Sequence, residues 1–217
     1  PLTHNQRELC VLAEMAIRIW VTEAMVYRTA GLIDQRLAAV DKDDPASVLA
    51  AIEEYAVECS INKVYVSEAL DYVADETVQI FGGYGYVADF PAERIYRDAR
   101  INRIFEGTNE INRLLIPATL FRRALQGRLP LLIAAQKLMA DLLSYSPGQD
   151  EAPKGPLGDQ IRMLQLSKKI ALMVSGAAVQ KYRETLQEQQ EILGILSDLA
   201  IELFAMESAL LRALKSA

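Results

Sequence analysis

The chain is poor in the side chains from which most metal and nucleophilic sites are built. Its 217 residues hold one histidine, His4, and two cysteines, Cys10 and Cys59. An imidazole at the start of an amphipathic segment reads as a solvated side chain. Two isolated thiols without metal-ligand spacing read as small core residues in a reducing compartment. No metal is expected. No run of about 18 apolar residues occurs, which excludes a membrane-spanning helix. The net charge of −6 gives no reason to expect nucleic acid, whose binders carry a basic patch. There is no strand pattern, internal repeat or low-complexity tract. No secretory leader is visible, and the chain begins at Pro1, so it is read as a fragment whose start says nothing of targeting. Glycine is also scarce at first, with Gly31 alone among residues 1–78.

What is present is an ordinary globular composition. Apolar residues make up 51% and charged residues 24%, enough to bury a core and too apolar for a disordered chain. The periodicity is helical. Thr3 to about Val40 reads as one long helix with Leu9, Leu12, Ala16, Ile19, Ala24 and Tyr27 along one side. The turn formers of DKDDP end it, and Pro45 suits the first turn of the next. That second helix is expected from about Ala46 to Ile80, with Val48, Ile52, Tyr55, Cys59, Val66, Leu70, Val73 and Val78 inside. Its carboxylates, among them Glu68 and Asp71, read as a solvated face. Two long amphipathic helices joined by a short turn make an antiparallel hairpin, the half-unit of an all-α bundle.

The C-terminal half repeats the helical pattern without chemistry. Pro117 predicts a kink or break, Leu129–Leu143 is apolar almost all round, and Ser144–Gly158 is the clearest loop. Two further helices are expected over about Asp159–Gln187 and Glu188–Leu214. Residues 1–116 carry 19 acids and 11 bases, residues 117–217 carry 10 and 12, and this shift supports a domain boundary between 116 and 117. Lys168, Lys169, Lys181 and Arg183 in one helix are compatible with a membrane surface but do not specify one.

Chemistry concentrates between Gln79 and Arg113. Gly82, Gly83 and Gly85 arrive within four positions among Phe81, Tyr84 and Tyr86. They read either as a helix cap or as bare amides that let a phosphate group approach. Arg97, Arg100 and Arg103 form a basic ridge for which Glu93, Asp98 and the acidic second helix offer internal partners. Glu106 follows Ile104-Phe105 and precedes a helix capped by Thr108, with Glu110 in its first turn. It reads as a dipole-compensating acid or as a base whose pKa apolar neighbours push upward.

QIFGGYGY, YRDAR and IFEGTNEINR, in this order and spacing, resemble the signature of the C-terminal helical domain of the flavin-dependent acyl-CoA dehydrogenases, and LAEMA at Leu12–Ala16 fits upstream. The likeness covers residues 1–116, while residues 117–217 resemble the extra helical region of the very-long-chain branch. The resemblance implies that Glu106 removes the α-proton of an acyl-CoA while a hydride passes to FAD, giving a trans-2-enoyl-CoA. It implies that Gly107 touches substrate and that Thr108, Asn109 and Glu110 lie near the flavin of their own subunit. Gln79, Ile80, Phe81, Gly82 and Gly83, with Asn5 and Gln6, would contact the flavin of a homodimer partner. Electrons would leave through an electron-transferring flavoprotein, in the cytoplasm of a bacterium or the mitochondrial matrix of a eukaryote. The family's N-terminal helical domain and middle β-domain are absent here, so the chain alone is expected to be inactive. A competing expectation is a non-catalytic helical interaction module on the same bundle; a related flavin oxidase would carry Asp in place of Glu106.

Overall fold

The structure is a computed structural model that describes residues 6–143 and 153–216. Among the described residues every regular element is a helix. They run α1 (Gln6–Ala38), α2 (Pro45–Glu53), α3 (Ala56–Phe81), α4 (Gly83–Tyr86), α5 (Pro91–Arg100), α6 (Asn109–Leu125), α7 (Leu131–Leu143), α8 (Gly158–Tyr182) and α9 (Gln190–Ser216), with short 3-10 turns at Ile101–Arg103 and Arg183–Glu188. Thr3 and His4 lie outside the described residues, as does most of the Ser144–Gly158 loop.

The helix starts follow local chemistry. Asp44 caps α2 by accepting from the N–H groups of Ala46 at 3.1 Å and Ser47 at 3.3 Å, with Pro45 in the first turn. The single helix expected over Ala46–Ile80 is two. It breaks at Glu54–Tyr55, and the Glu53 carbonyl, freed from helix bonding, accepts from Arg123 Nη2 of α6 at 2.9 Å. A residue seventy positions away thus satisfies the break, which a local pattern does not reveal.

Four helices meet at the main core. Met25 of α1, Val57, Ile61 and Val64 of α3, Ile116 of α6, and Ile201 and Ala205 of α9 form one buried cluster. A second cluster joins Ala178 of α8, Leu186, and Leu193 and Leu196 of α9, with Leu114 and Phe121 of α6 against it. The expected boundary at 116/117 falls inside α6, which continues through Pro117. Pro117 removes one helix bond, and burial of Ile116, Pro117 and Thr119 around it offsets that loss.

The core uses only part of the faces expected: Ala24 is buried and Val48, Tyr55, Val66, Val73 and Val78 are half-buried, while the other expected positions are exposed. On α1, Leu9, Leu12, Ala16, Ile19 and Tyr27 are exposed, and the covered side is Val21, Ala24, Met25 and Thr29. On α2 and α3, Ile52, Cys59 and Leu70 are exposed, while Val57, Ile61 and Val64 face inward. Cys10 is exposed as well, so neither thiol is a core residue in this chain. These helices are apolar on more than one side, and periodicity alone does not say which side α6 and α9 cover. Expected helix ends also move: α8 stops at Tyr182, where Arg183 takes φ +47.

Candidate active site

The IFEGTNEINR segment forms the start of α6 and the turn before it. Thr108 is the N-cap, its hydroxyl oxygen accepting from Ile111 N at 3.2 Å. Glu110 sits exposed in the first turn. Hydrogen bonds from its own N–H and the Thr108 hydroxyl hold its carboxyl below the usual carboxylate range. Immediately before the cap the backbone is left-handed twice, at Glu106 with φ 55 and at Gly107 with φ 82. The second suits glycine; the first is uncommon for a side chain with a Cβ.

The turn is fastened to α3. Lys63 Nζ donates to the Gly107 carbonyl at 2.6 Å and to Asn109 Oδ1 at 2.7 Å. Asn112 Nδ2 donates to the same Gly107 carbonyl at 3.0 Å. Asn109 is only 2% exposed, and its Nδ2 donates to Ser67 Oγ and to Glu68 Oε1, each at 3.0 Å. The side chain of Asn109, a residue expected near a flavin, is turned toward α3 in this chain. Burial withdraws solvent from the Lys63 ammonium and lowers its pKa, while Glu110, Glu106 and Glu68 pull the other way. Sequence reasoning missed Lys63; its one signal was a single cation on an otherwise acidic helix face.

Arg113 closes the segment. Its guanidinium forks onto Glu68 at 2.6 and 2.9 Å and reaches Asp198 of α9 at 2.8 Å. Burial would raise the Glu68 carboxyl, but hydrogen bonds from Arg113 and Asn109 outweigh it and hold the group below its ordinary value. Arg103 reaches Asp71 at 3.2 Å, and Arg97 reaches Glu93 at 3.2 Å. Glu68 and Asp71 are therefore bundle partners and not a purely solvated face, and the arginine ridge is partly tied internally as expected.

Glu106 itself is exposed. The apolar enclosure expected from Ile104 and Phe105 is not formed within this chain, because these side chains are 49% and 45% exposed. The carboxylate stands on an open face with the backbone of exposed Gly107 beside it.

The glycine motif lies elsewhere. Gly82 (φ 60) caps α3, its N–H meeting the Gln79 carbonyl at 3.2 Å. Gln79, Phe81, Gly82 and Gly83 are exposed and Ile80 is half-buried. A Cβ added at Gly85 would lie 2.5 Å from the Val78 carbonyl oxygen, so close packing requires that glycine. At Gly83 an added Cβ would meet nothing within 4 Å, so this chain's own packing does not. Beside the motif a cleft of about 670 Å³ is lined by Asp75, Val78, Tyr86, Tyr96, Arg97 and Arg100, and Glu106 is not part of it. Gln79 and Lys63 are 16 residues apart on one helix, which is roughly 24 Å at 1.5 Å per residue. The structure thus does not bring the QIFGG residues to Glu106 within one chain. Gln6 is exposed at the first residue of α1, and Asn5 lies outside the described residues.

Comparison with known proteins places both the QIFGG segment and Glu106 within one family-model match. Residues 9–121 match the family model described as "Acyl-CoA dehydrogenase, C-terminal domain", and residues 166–217 match a second model of the same description. The chain belongs to the acyl-CoA dehydrogenase family. It is 46% identical over 208 residues to a probable acyl-CoA dehydrogenase of Bacillus subtilis, covering 94% of this chain and 35% of that protein. It is 31% identical to the mitochondrial very long-chain specific acyl-CoA dehydrogenase of Mus musculus, again over 94% of this chain and 31% of the relative. An acyl-CoA dehydrogenase of Bacillus anthracis, solved as a complex with FAD, superposes with a TM-score of 0.90 at 50% identity, covering 95% of this chain and 35% of that one. The chain spans about a third of the length of these relatives.

Proposed function

We propose that this chain is the C-terminal part of an enzyme that dehydrogenates an acyl-CoA thioester to the trans-2-enoyl-CoA, with FAD as hydride acceptor. The observation that carries it is Glu106, an exposed carboxylate on a left-handed turn braced against α3, with glycine backbone beside it. A base placed in this way takes the α-proton from substrate lying along Gly107. FAD, where bound, supplies the acceptor for the β-hydride. Gln79, Phe81, Gly82 and Gly83 fit such a group, because they offer side-chain polarity, an aromatic face and uncovered backbone on one surface.

Their distance from Glu106 supports a homodimer in which the QIFGG surface serves the partner's flavin, with Thr108 and Glu110 near their own. The exposed apolar residues of α1 favour such a covered face. Electron-transferring flavoprotein is the proposed acceptor, and the likeness to Bacillus proteins favours the cytoplasm. Among the described residues no helix is long and apolar enough to cross a membrane.

The test is Glu106→Gln in the complete protein, a change that keeps shape and removes basicity. Acyl-CoA-dependent flavin reduction should fall at least about 10²-fold while FAD and acyl-CoA still bind. Reduction at an undiminished rate would overturn the assignment.

A further inference from the structure

We propose that Lys63 is a positioning residue for the Glu106 carboxylate, its ammonium holding the left-handed Glu106–Gly107 turn at a fixed place on α3. This rests on Glu106 being the base.

Arg103 before the turn and Asn109 after it are also tied to α3, through Asp71, Ser67 and Glu68. It is Lys63, however, that reaches from α3 to the turn's own backbone, at the Gly107 carbonyl. Glu106 adopts φ 55, a conformation that a residue with a Cβ keeps only where its surroundings impose it. Apolar packing does not impose it, since Ile104, Phe105 and Glu106 all stand exposed. The Gly107 carbonyl, one residue beyond the base, accepts two hydrogen bonds. One comes from Asn112, which belongs to the start of α6 and moves with the turn. The other comes from Lys63, which stands on a different helix.

That helix is packed into the main core. Lys63 is flanked by Ile61 and Val64, both part of the main core, with Val64 at 0% exposed. Its ammonium also takes Asn109 Oδ1, so one cation spans the residue after the base and the first residue of α6. The donor is charged and both acceptors are short, which makes these the stronger class of hydrogen bond. Burial lowers the Lys63 pKa, and the charges of Glu110, Glu106 and Glu68 oppose that shift. A base must sit within hydrogen-bond reach of the proton it takes, and a displacement of about 1 Å costs on the order of 10²-fold in rate. Lys63 controls that displacement without touching substrate.

The experiment compares Lys63→Met, Lys63→Arg and Glu106→Gln in the complete FAD-loaded enzyme. Lys63→Met should slow flavin reduction about 10- to 100-fold, leave the acyl-CoA dissociation constant within about two-fold, and enlarge the isotope effect from α-deuterated substrate. FAD content should stay at parental level, and a crystal structure should show the Glu106 turn displaced from α3. Lys63→Arg, which keeps a cationic donor, should recover most of the rate. Should Lys63→Met fail to fold, Lys63→Gln takes its place under the same criteria. A parental rate, or a loss that follows FAD content and that arginine does not relieve, overturns the proposal. If Glu106→Gln is inert while Lys63→Met is parental, only the positioning role fails. If Glu106→Gln reduces its flavin normally, the base itself is misassigned and the positioning role falls with it.

Discussion

At Gly82 the backbone turns with φ 60, at Gly85 an added Cβ would lie 2.5 Å from a carbonyl oxygen, and at Gly83 it would meet nothing within 4 Å. Three glycines that look alike in sequence therefore answer to different demands. The first two are explained by this chain, as a helix end and as a close contact on α3. The third is not, and backbone approach by a cofactor is the demand proposed for it. Two substitutions separate these roles in the complete protein. Gly85→Ala should lower the melting temperature, because backbone must shift to admit the methyl group. Gly83→Val should leave the melting temperature near parental and reduce FAD retained after gel filtration. Unchanged flavin content in Gly83→Val would return Gly83 to a simple helix terminus. Legibility differed residue by residue here: the Thr108 cap and the Glu93–Arg97 pair are local and could be read, whereas the partners of Asn109 lie more than forty positions away.

Among the elements, α3 organises the molecule. One side of it supplies Val57, Ile61 and Val64 to the core, and another presents Lys63, Ser67, Glu68 and Asp71 to the turn and to α6. The Arg113 fork joins α3, α6 and α9 through Glu68 and Asp198. Glu68 titrates lower in the folded chain than its ordinary value, so its contribution is complete above about pH 4.3, the unperturbed carboxylate value, and is lost as pH falls through the lower folded value. Glu207, held low by Lys168 and Arg28 against the opposing effect of burial, acts in the same direction. Thermal unfolding followed between about pH 6 and 3 should show the melting temperature falling on acidification. Arg113→Met should cost about 1–3 kcal/mol at neutral pH, nearer the lower figure because Glu68 is partly solvated and screened. It should also flatten the acid limb, since Glu68 then has less to lose. An acid limb of parental steepness in that variant would show that Glu68 is not a source of the pH dependence.

Over the whole molecule, the C-terminal half is part of the bundle and not an appendage. Ile201 and Ala205 of α9 complete the cluster around Met25, Val64 and Ile116, which are each 0% exposed. Ion pairs from Arg28 to Glu207 at 2.8 Å and Arg212 to Glu23 at 3.0 Å tie α9 along α1. Burying each large side chain of that cluster is worth about 1.5–3 kcal/mol, and truncation after Pro117 removes the cover from several at once. The truncated protein should therefore aggregate or associate into higher oligomers, whereas the full-length form is proposed to be a dimer. Light scattering of both forms checks this, and a truncation that remains a well-behaved dimer would remove the role from α9. The apolar side chains along α1 that this chain leaves uncovered belong to the same account. They are the share of the surface that a partner subunit is proposed to bury.

The sequence by itself determined that the molecule is helical, and it supplied the candidate site and its candidate base. These depend on local periodicity, on capping residues and on motifs read within a few turns of chain. Tertiary structure decided which side of each helix became core, that α6 runs unbroken through Pro117, and that Lys63 and Asn109 brace the Glu106 turn. Such outcomes depend on contacts between residues forty to two hundred positions apart. A helix with apolar residues on two sides offers its neighbours more than one way to pack, and only the assembled bundle chooses between them.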